Sequence, residues 1–479
     1  MNKIIKQIWN QRRMNGWIFI EIIIAGFFLW TVIDPMYVLM VNHLEDKGYE
    51  EEGRYVINLG SYGSSHGMRD TTITNDMRKE SFYRFIQLIQ EQPEVESAYV
   101  SLNNSMPNAM SWSGGEYQPD TLSTAEKKIT HTQNYSILGA KGCDFFRTLG
   151  IKDVHTDKEL TIPEDASSRN LCFISKQFAL KMFGTTQVVG EKTFDYEKNP
   201  IKIGAVFQDI KTRDYSASYP LMIRLEKDIY MHDYIHKSTF IVFRLKEGVN
   251  FNQFNERFNK EVAPHMNQGN FYFDGFKSFA DLRNELGVMF GVYNKLRLKL
   301  SLAAFTLLCI FLGMVGTFWI RCNAHRQEIG LMRSLGATEE RVKNQFLKEA
   351  GLLVTGAFVF SLILVVNFVV MTDGMAQQNV TGYPEFALVS QWLSPSVQFT
   401  MVSLITYLAL LLIALVGTLI PVRRAVKVLP ADALRDEYIL SSPQITQMDT
   451  DYFNSVYIVK NKLIRGNPCN LWCKKQIKE

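Results

Sequence analysis

Chemistry needs reactive side chains at fixed spacing, and this sequence offers few. It contains no GxSxG nucleophile elbow, no HExxH zinc pair and no EF-hand loop. Segment 184–193, GTTQVVGEKT, has the outline of a phosphate loop. Its second glycine is followed by Glu191, however, which puts the lysine one residue off the spacing that reaches a phosphate. His66, His131, His155, His232, His236 and His265 are scattered, and they read as polar surface or capping groups more readily than as a metal cluster. None of the 6 cysteines forms a CxxC pair. Cys469 and Cys473 stand four apart with no histidine beside them, so they read as plain thiols, while Cys143 and Cys172 can pair only in an oxidising compartment. We therefore assign no catalytic residue, no metal ligand and no cofactor, and expect any enzymatic activity to reside elsewhere. With 52 Lys plus Arg against 48 Asp plus Glu, the chain has no basic excess of the kind a nucleic-acid surface needs.

The elements tell more than the reactive groups do. A mean hydropathy of -0.06 averages very apolar blocks with a polar middle. Leu300 to Ile320, Ala350 to Met371 and Val397 to Val422 each run for about 20 residues or more without a formal charge, the length a helix needs to cross hydrocarbon. Trp17 to Val41 is a fourth span, with Glu21 and Asp34 flanking its apolar centre. Each of these acids is expected to reach toward an interface, Glu21 finding a partner in Arg12 or Arg13 more readily than a transport role. Phe27, Phe28, Leu29 and Trp30 stand where a cleavable signal would have small residues, so the segment reads as an uncleaved anchor.

Charge at the flanks sets the orientation. Lys3, Lys6, Arg12 and Arg13 precede the first span, Arg321 to Lys343 holds five basic residues, and the last span exits into Arg423, Arg424 and Lys427. The connection 372–396 holds Asp373 and Glu385 and no Lys or Arg. The positive-inside rule then predicts cytoplasmic termini, a cytoplasmic loop at 321–349 and an external segment at 42–297. Residues 1–16, with Ile4, Ile5, Ile8 and Trp9 at helical spacing against basic residues, predict an amphipathic helix on the inner surface.

The external segment reads as α+β: strands at 54–60, 95–102, 171–175, 201–210, 221–225 and 240–245, and a helix at 76–90 with Phe82, Phe85, Ile86 and Ile89 on one face. Ser175 is placed to cap a helix that Gly184 ends. From Phe279 to Leu300 there is no proline and few glycines, so a helix is expected to run straight into the second span as a rigid stalk.

The inner loop carries the sharpest pattern. Arg326 to Leu335 has Ile329, Met332 and Leu335 at helical spacing, Gly336 stops it, and Thr338 with Glu339 and Glu340 starts a helix leading into the third span. Such a helix suits a cleft on a cytoplasmic partner, and it equally suits the membrane surface beneath its own bundle.

HRQEIGLMRSLGAT (325–338) resembles the inner loop of the FtsX-like permeases, the MacB-type membrane subunits of ABC transporters, and PVRRAVKVLPADALRDE (421–437) resembles their segment after the last span. NYSILGAKGCDFFRTLGIK (134–152) and residues 170–215 resemble the MacB-type periplasmic core. The resemblance covers nearly the whole chain to Glu437; Glu21, Asp34 and the tail 438–479 depart from it. It implies spans at 17–41, 298–320, 350–371 and 397–422, a periplasmic core at 42–297, and a cytoplasmic tail at 423–479. It further implies an inner-membrane permease subunit without its own ATPase, partnered by a cytoplasmic ABC ATPase, by a second permease chain, identical or sibling, and by membrane lipid. Motion of the ATPase would reach the periplasmic domain for export or mechanotransmission through a coupling surface of Glu328, Ile329, Leu331, Met332, Arg333 and Leu335, shaped by Arg326 and Gly336. Glu328 and Arg333 also read as paired or solvated surface charges, the commoner case for any single helix charge. A non-transporting sensor signalling to a cytoplasmic or cell-wall partner is the other reading.

Overall fold

The computed structural model describes residues 12–63, 66–111, 113–120, 130–140, 142–163, 171–231, 235–372, 375 and 391–427. Expectations for the amphipathic helix before Arg12, most of the connection 372–396, residues 428–437, the tail, and Cys469 with Cys473 lie outside these residues. So do His232 and the side chain of His131. The described chain divides into two compact units, one of residues 30–303 and 368–403, the other of the described residues within 1–29, 304–367 and 404–479.

In chain order the elements are α1 (Arg12–Leu44), β1 (Arg54–Ser61), α2 (Asn75–Gln90), β2 (Val95–Leu102), β3 (Ser113–Gln118), β4 (Thr130–Leu138), α3 (Phe145–Leu149), β5 (Leu171–Ser175) and α4 (Lys176–Phe183). There follow β6 (Lys192–Asp195), β7 (Pro200–Phe207), β8 (Leu221–Glu226), β9 (Phe240–Leu245), α5 (Phe251–Glu261), β10 (Phe271–Ser278) and α6 (Phe279–Met289). The last four are α7 (Val292–Ala324), α8 (Arg326–Ser334), α9 (Glu339–Met371) and α10 (Pro395–Val426).

Between the first and second long apolar helices lies a sheet-rich domain. Its ten strands run β10-β1-β9-β2-β4-β3-β6-β7-β5-β8, and an added β4–β8 pairing closes β4, β3, β6, β7, β5 and β8 into a ring. The β4–β8 and β5–β7 pairs are parallel, which β-hairpins cannot supply; β5 reaches β7 through α4. Ser175 Oγ accepts from the Phe178 amide and Gly184 takes the left-handed conformation at φ 74°, so the helix starts and stops where its sequence directs. α2 buries Phe82, Phe85, Ile86 and Ile89 in one core with β1, β2, β9 and α5. A second core gathers Phe145, Phe146, Phe173 and Phe207, with Phe146 lying 5.1 Å from Phe173 and 5.5 Å from Phe207, ring centre to ring centre.

Two expectations are corrected here, and one possibility left open is answered. The stalk is not one straight helix: α6 ends at Phe290, Gly291 turns at φ 65°, and α7 begins afresh. Tyr293 fills the notch at Gly287, where a Cβ would stand 2.3 Å from its ring, and this packing favours the elbow over a straight run. Cys143 and Cys172 are separate buried thiols in different cores and form no disulfide. Burial pushes them up to about 11 and about 12, so both stay protonated at neutral pH. The strand expected at 201–210 stops at Phe207, and β3, β4 and β6 were not anticipated, because short strands such as SGGEYQ lack the β-branched alternation that marks a strand.

Among the described residues, four helices are long and apolar enough to cross a membrane: Gly16–Leu44, Val292–Ala324, Glu339–Met371 and Pro395–Val426. Each overruns its apolar run, α1 continuing through Pro35 and α10 through Pro421; α9 starts at Glu339, behind Thr338, whose Oγ1 accepts from the Arg341 amide.

Candidate functional site

The inner-loop helix α8 is closed at both ends by local chemistry. Glu328 stands in its first turn, where a carboxylate complements the helix dipole, and accepts from or shares a proton with His325 Nδ1 at 3.0 Å. At the other end the Gly336 amide donates to Arg333 O and the Ala337 amide to Met332 O, each at 3.0 Å, with Gly336 at φ 91°. That is the Schellman arrangement, and a side chain at Gly336 would strain it.

The expected coupling residues divide between two faces. Ile329 is buried at 3% and Gly330 is buried beside it, both turned into the unit. Leu331 and Leu335 are exposed, at 53% and 80%, and Glu328 is exposed with them. Met332, Arg326 and Arg333 are half-buried. Arg333 is anchored: its guanidinium donates to the Val426 carbonyl at the end of α10 and pairs with Glu339 at 3.3 Å. The helix thus packs under its own bundle on one side and presents leucines outward on the other. Ile329 belongs to the inward side, and Arg333 acts as a tie to α10 and α9.

Sequence reasoning passed over the pair that joins the neighbouring helices. Arg321 Nη2 lies 2.6 Å from Glu349 Oε1, both side chains 1% exposed, with the guanidinium 5.2 Å from the Phe318 ring centre. A buried charge without its partner costs several kcal/mol, about 3–5 when one side is deleted, so the pair locks α7 to α9 at the base of α8. The signal was present: Arg321 directly follows one apolar run and Glu349 directly precedes the next.

Two acids in the apolar helices behave differently from expectation or from each other. Asp34 does not reach toward an interface; it is 3% exposed and accepts from Gln398 Nε2 of α10 at 2.7 Å. Inside a hydrocarbon-facing helix an amide donor on a neighbouring helix satisfies the carboxylate more closely than a distant interface would. One turn earlier Trp30 Nε1 donates to Ser403 Oγ at 3.1 Å, a second rung between the same helices. Glu21 lies in the notch of Gly313, where an added Cβ would come within 2.3 Å of its carboxylate; the side chains of Arg12 and Arg13 lie outside the described residues.

A second cluster surrounds the far end of α1. The Lys211 ammonium, fully buried, donates to the carbonyls of Asn42 and, at 3.3 Å, Glu45, capping the helix. Burial holds the Lys211 pKa below the usual lysine value. The Asn42 amide reaches Tyr215 O at 3.3 Å, and His43 meets the buried Asp214 at 2.8 Å while stacking on Tyr215. The same loop touches the elbow, with Arg213 4.4 Å from the Phe290 ring centre and Tyr215 edge-on to Tyr293. Among the described residues, no three His, Cys, Asp or Glu side chains converge as a metal site.

Residues 300–430 match the family model for the FtsX-like permease C-terminal domain. No curated protein matches the chain. Similar solved structures include the periplasmic region of MacB from Actinobacillus actinomycetemcomitans, 12% identical, covering 51% of this chain and 97% of that one at a TM-score of 0.30. Another is the extracellular domain of the noncanonic ABC-type transporter YknZ from Gram-positive bacteria, also 12% identical, covering 46% of this chain and 98% of that one at a TM-score of 0.28.

Proposed function

We propose that this chain, an FtsX-like permease of the ABC-transporter type and a multi-pass membrane protein, is moved by a separate cytoplasmic ABC ATPase that docks on α8. The observation that carries the reading is the two-faced α8: a short helix held rigidly between two apolar helices, with Leu331, Leu335 and Glu328 outward and Met332 at the margin. A rigid exposed apolar helix can be pushed as a unit, whereas a flexible loop would dissipate the movement.

In this reading the ATPase closes on nucleotide and presses on α8. The Arg333 ties pass the load to α9 and α10, and the Arg321–Glu349 pair shares it between α7 and α9. The displacement then travels along α7 to the elbow at Gly291. Two permease chains, identical or sibling, serve one ATPase dimer, and the chain itself contributes no catalytic group. The basic flanks, against a connection 372–396 without Lys or Arg, support cytoplasmic termini and an inward-facing α8. Export and mechanotransmission both use this movement.

The test is a mild-detergent purification of the full chain from its native membrane, with co-purifying proteins identified and ATP hydrolysis assayed. Met332→Asp and Leu331→Asp place a charge in the contact and should each weaken retention of the ATPase by about 30-fold or more, the effect of losing a central apolar anchor, while insertion is unchanged. Full retention by both variants would place the contact elsewhere. Reproducible recovery of a kinase or cell-wall enzyme without any ATPase would replace coupling by signalling.

A further inference from the structure

The end of α7, the start of α8 and the end of α10 enclose a cavity of about 180 Å³ that shares only Arg326 with the expected coupling surface. Arg326 and Arg424 line it, Trp319, Cys322 and Pro421 form its apolar walls, and none of its lining residues is acidic. The Arg424 guanidinium lies 5.4 Å from the Trp319 ring centre, which holds its planar fork in place. We propose that this cavity binds the phosphodiester headgroup of an anionic phospholipid.

Three observations favour this ligand. Two arginines line one small space, and guanidinium forks match phosphate oxygens in pairs. The cavity lies at the ends of two apolar helices, level with a half-exposed tryptophan, the residue that marks the boundary between hydrocarbon and headgroups. Beside it α7 exposes Ile320 at 62% and, further along, Leu312 at 58%, an apolar track for an acyl chain that a free phosphate would leave unused. Basic pockets between membrane helices take acidic lipid headgroups for the same electrostatic reasons. The inference concerns the chain alone and does not depend on an ATPase partner.

The experiment reconstitutes the full chain in nanodiscs of equimolar phosphatidylcholine and phosphatidylglycerol and identifies retained lipid by native mass spectrometry. Each guanidinium is expected to favour the acidic headgroup by about fivefold, giving an enrichment of phosphatidylglycerol by about 30-fold. Arg326→Gln combined with Arg424→Gln should abolish the enrichment, Arg424→Lys should keep part of it, and Arg423→Gln, outside the cavity, should keep all of it. Equal retention of the two lipids by the unaltered chain would overturn the proposal. So would a double variant, folded by size-exclusion and thermal unfolding, that enriches as the parent does. A loss with Arg423→Gln equal to that of the double variant would reduce the effect to diffuse surface charge. Displacement of the lipid by millimolar inorganic phosphate would assign the cavity to a soluble phosphate instead.

Discussion

The sheet-rich domain and the apolar helices differ in where they place their large apolar side chains. The domain buries its largest rings: Phe82, Phe85, Phe145, Phe146, Phe173 and Phe207 are almost wholly inaccessible. The apolar helices keep a few rings inside, Trp30, Phe318, Phe346 and Phe358 among them, but turn many large side chains outward. Phe305, Leu308, Leu312, Ile363 and Leu412 lie on the outside, while Thr306, Ser361, Thr406 and Thr418 are turned inward beside Ala350 and Ala357. Water drives the first arrangement, since each buried ring removes apolar area from it. In hydrocarbon that drive vanishes between helices, and close packing of small residues with interhelical polar contacts takes its place. Gly26 illustrates the fit, since a Cβ there would come within 2.8 Å of Ser361 Oγ.

The contrast extends to buried charge. In the domain Lys211 donates to helix-end carbonyls fixed by the backbone, with the Glu45 carboxylate at 3.8 Å as a looser partner. Between the apolar helices Arg321 pairs with Glu349, and Asp34 accepts from the side-chain amide of Gln398 on α10. Backbone acceptors persist after any side-chain change, whereas a side-chain partner can be removed by one substitution.

The contrast can be broken at its strongest point first. Phe146→Ala should destabilise the domain by about 3–5 kcal/mol through lost transfer energy and a cavity, read by thermal unfolding of the full chain in detergent. The corresponding change on an outward ring, Phe305→Ala, should shift the same measurement by less than about 0.5 kcal/mol. Comparable losses at both positions would show that the apolar helices use a water-type core after all.

Next in size is the buried pair. Glu349→Leu leaves the Arg321 guanidinium buried with its acid gone and should cost about 3 kcal/mol, within the range for breaking a buried pair. The double variant Arg321→Met with Glu349→Leu should recover most of that loss. A double variant as unstable as the single would mean that the two groups matter separately, not as a pair.

The smallest effect is expected at the helix cap. Lys211→Met keeps the apolar stem but removes the ammonium, leaving the Asn42 and Glu45 carbonyls unmet, for a loss of about 1–2 kcal/mol. Hydrogen exchange should localise the added fraying to the residues preceding Leu44; unchanged exchange there would show that water replaces the cap.

Much of this protein was legible from local rules. The four apolar helices follow from run length, the start and stop of α4 from Ser175 and Gly184, and the closure of α8 from Gly336, because each depends on contacts within a few residues. Ile329, Met332 and Leu335 of α8 stand out by spacing and Leu331 only through the resemblance, but the division into an inward Ile329 and outward Leu331 and Leu335 was not legible, since periodicity gives a face without saying what covers it. Tertiary structure alone decided the rest. It paired β4 with both β8 and β3 and closed the ring, bent the expected stalk at Gly291, turned Asp34 toward Gln398 across 364 residues, and brought Arg321 to Glu349. Each of these depends on which element lies alongside which, and that choice is made by the packing of whole helices and strands, far beyond the reach of any local pattern.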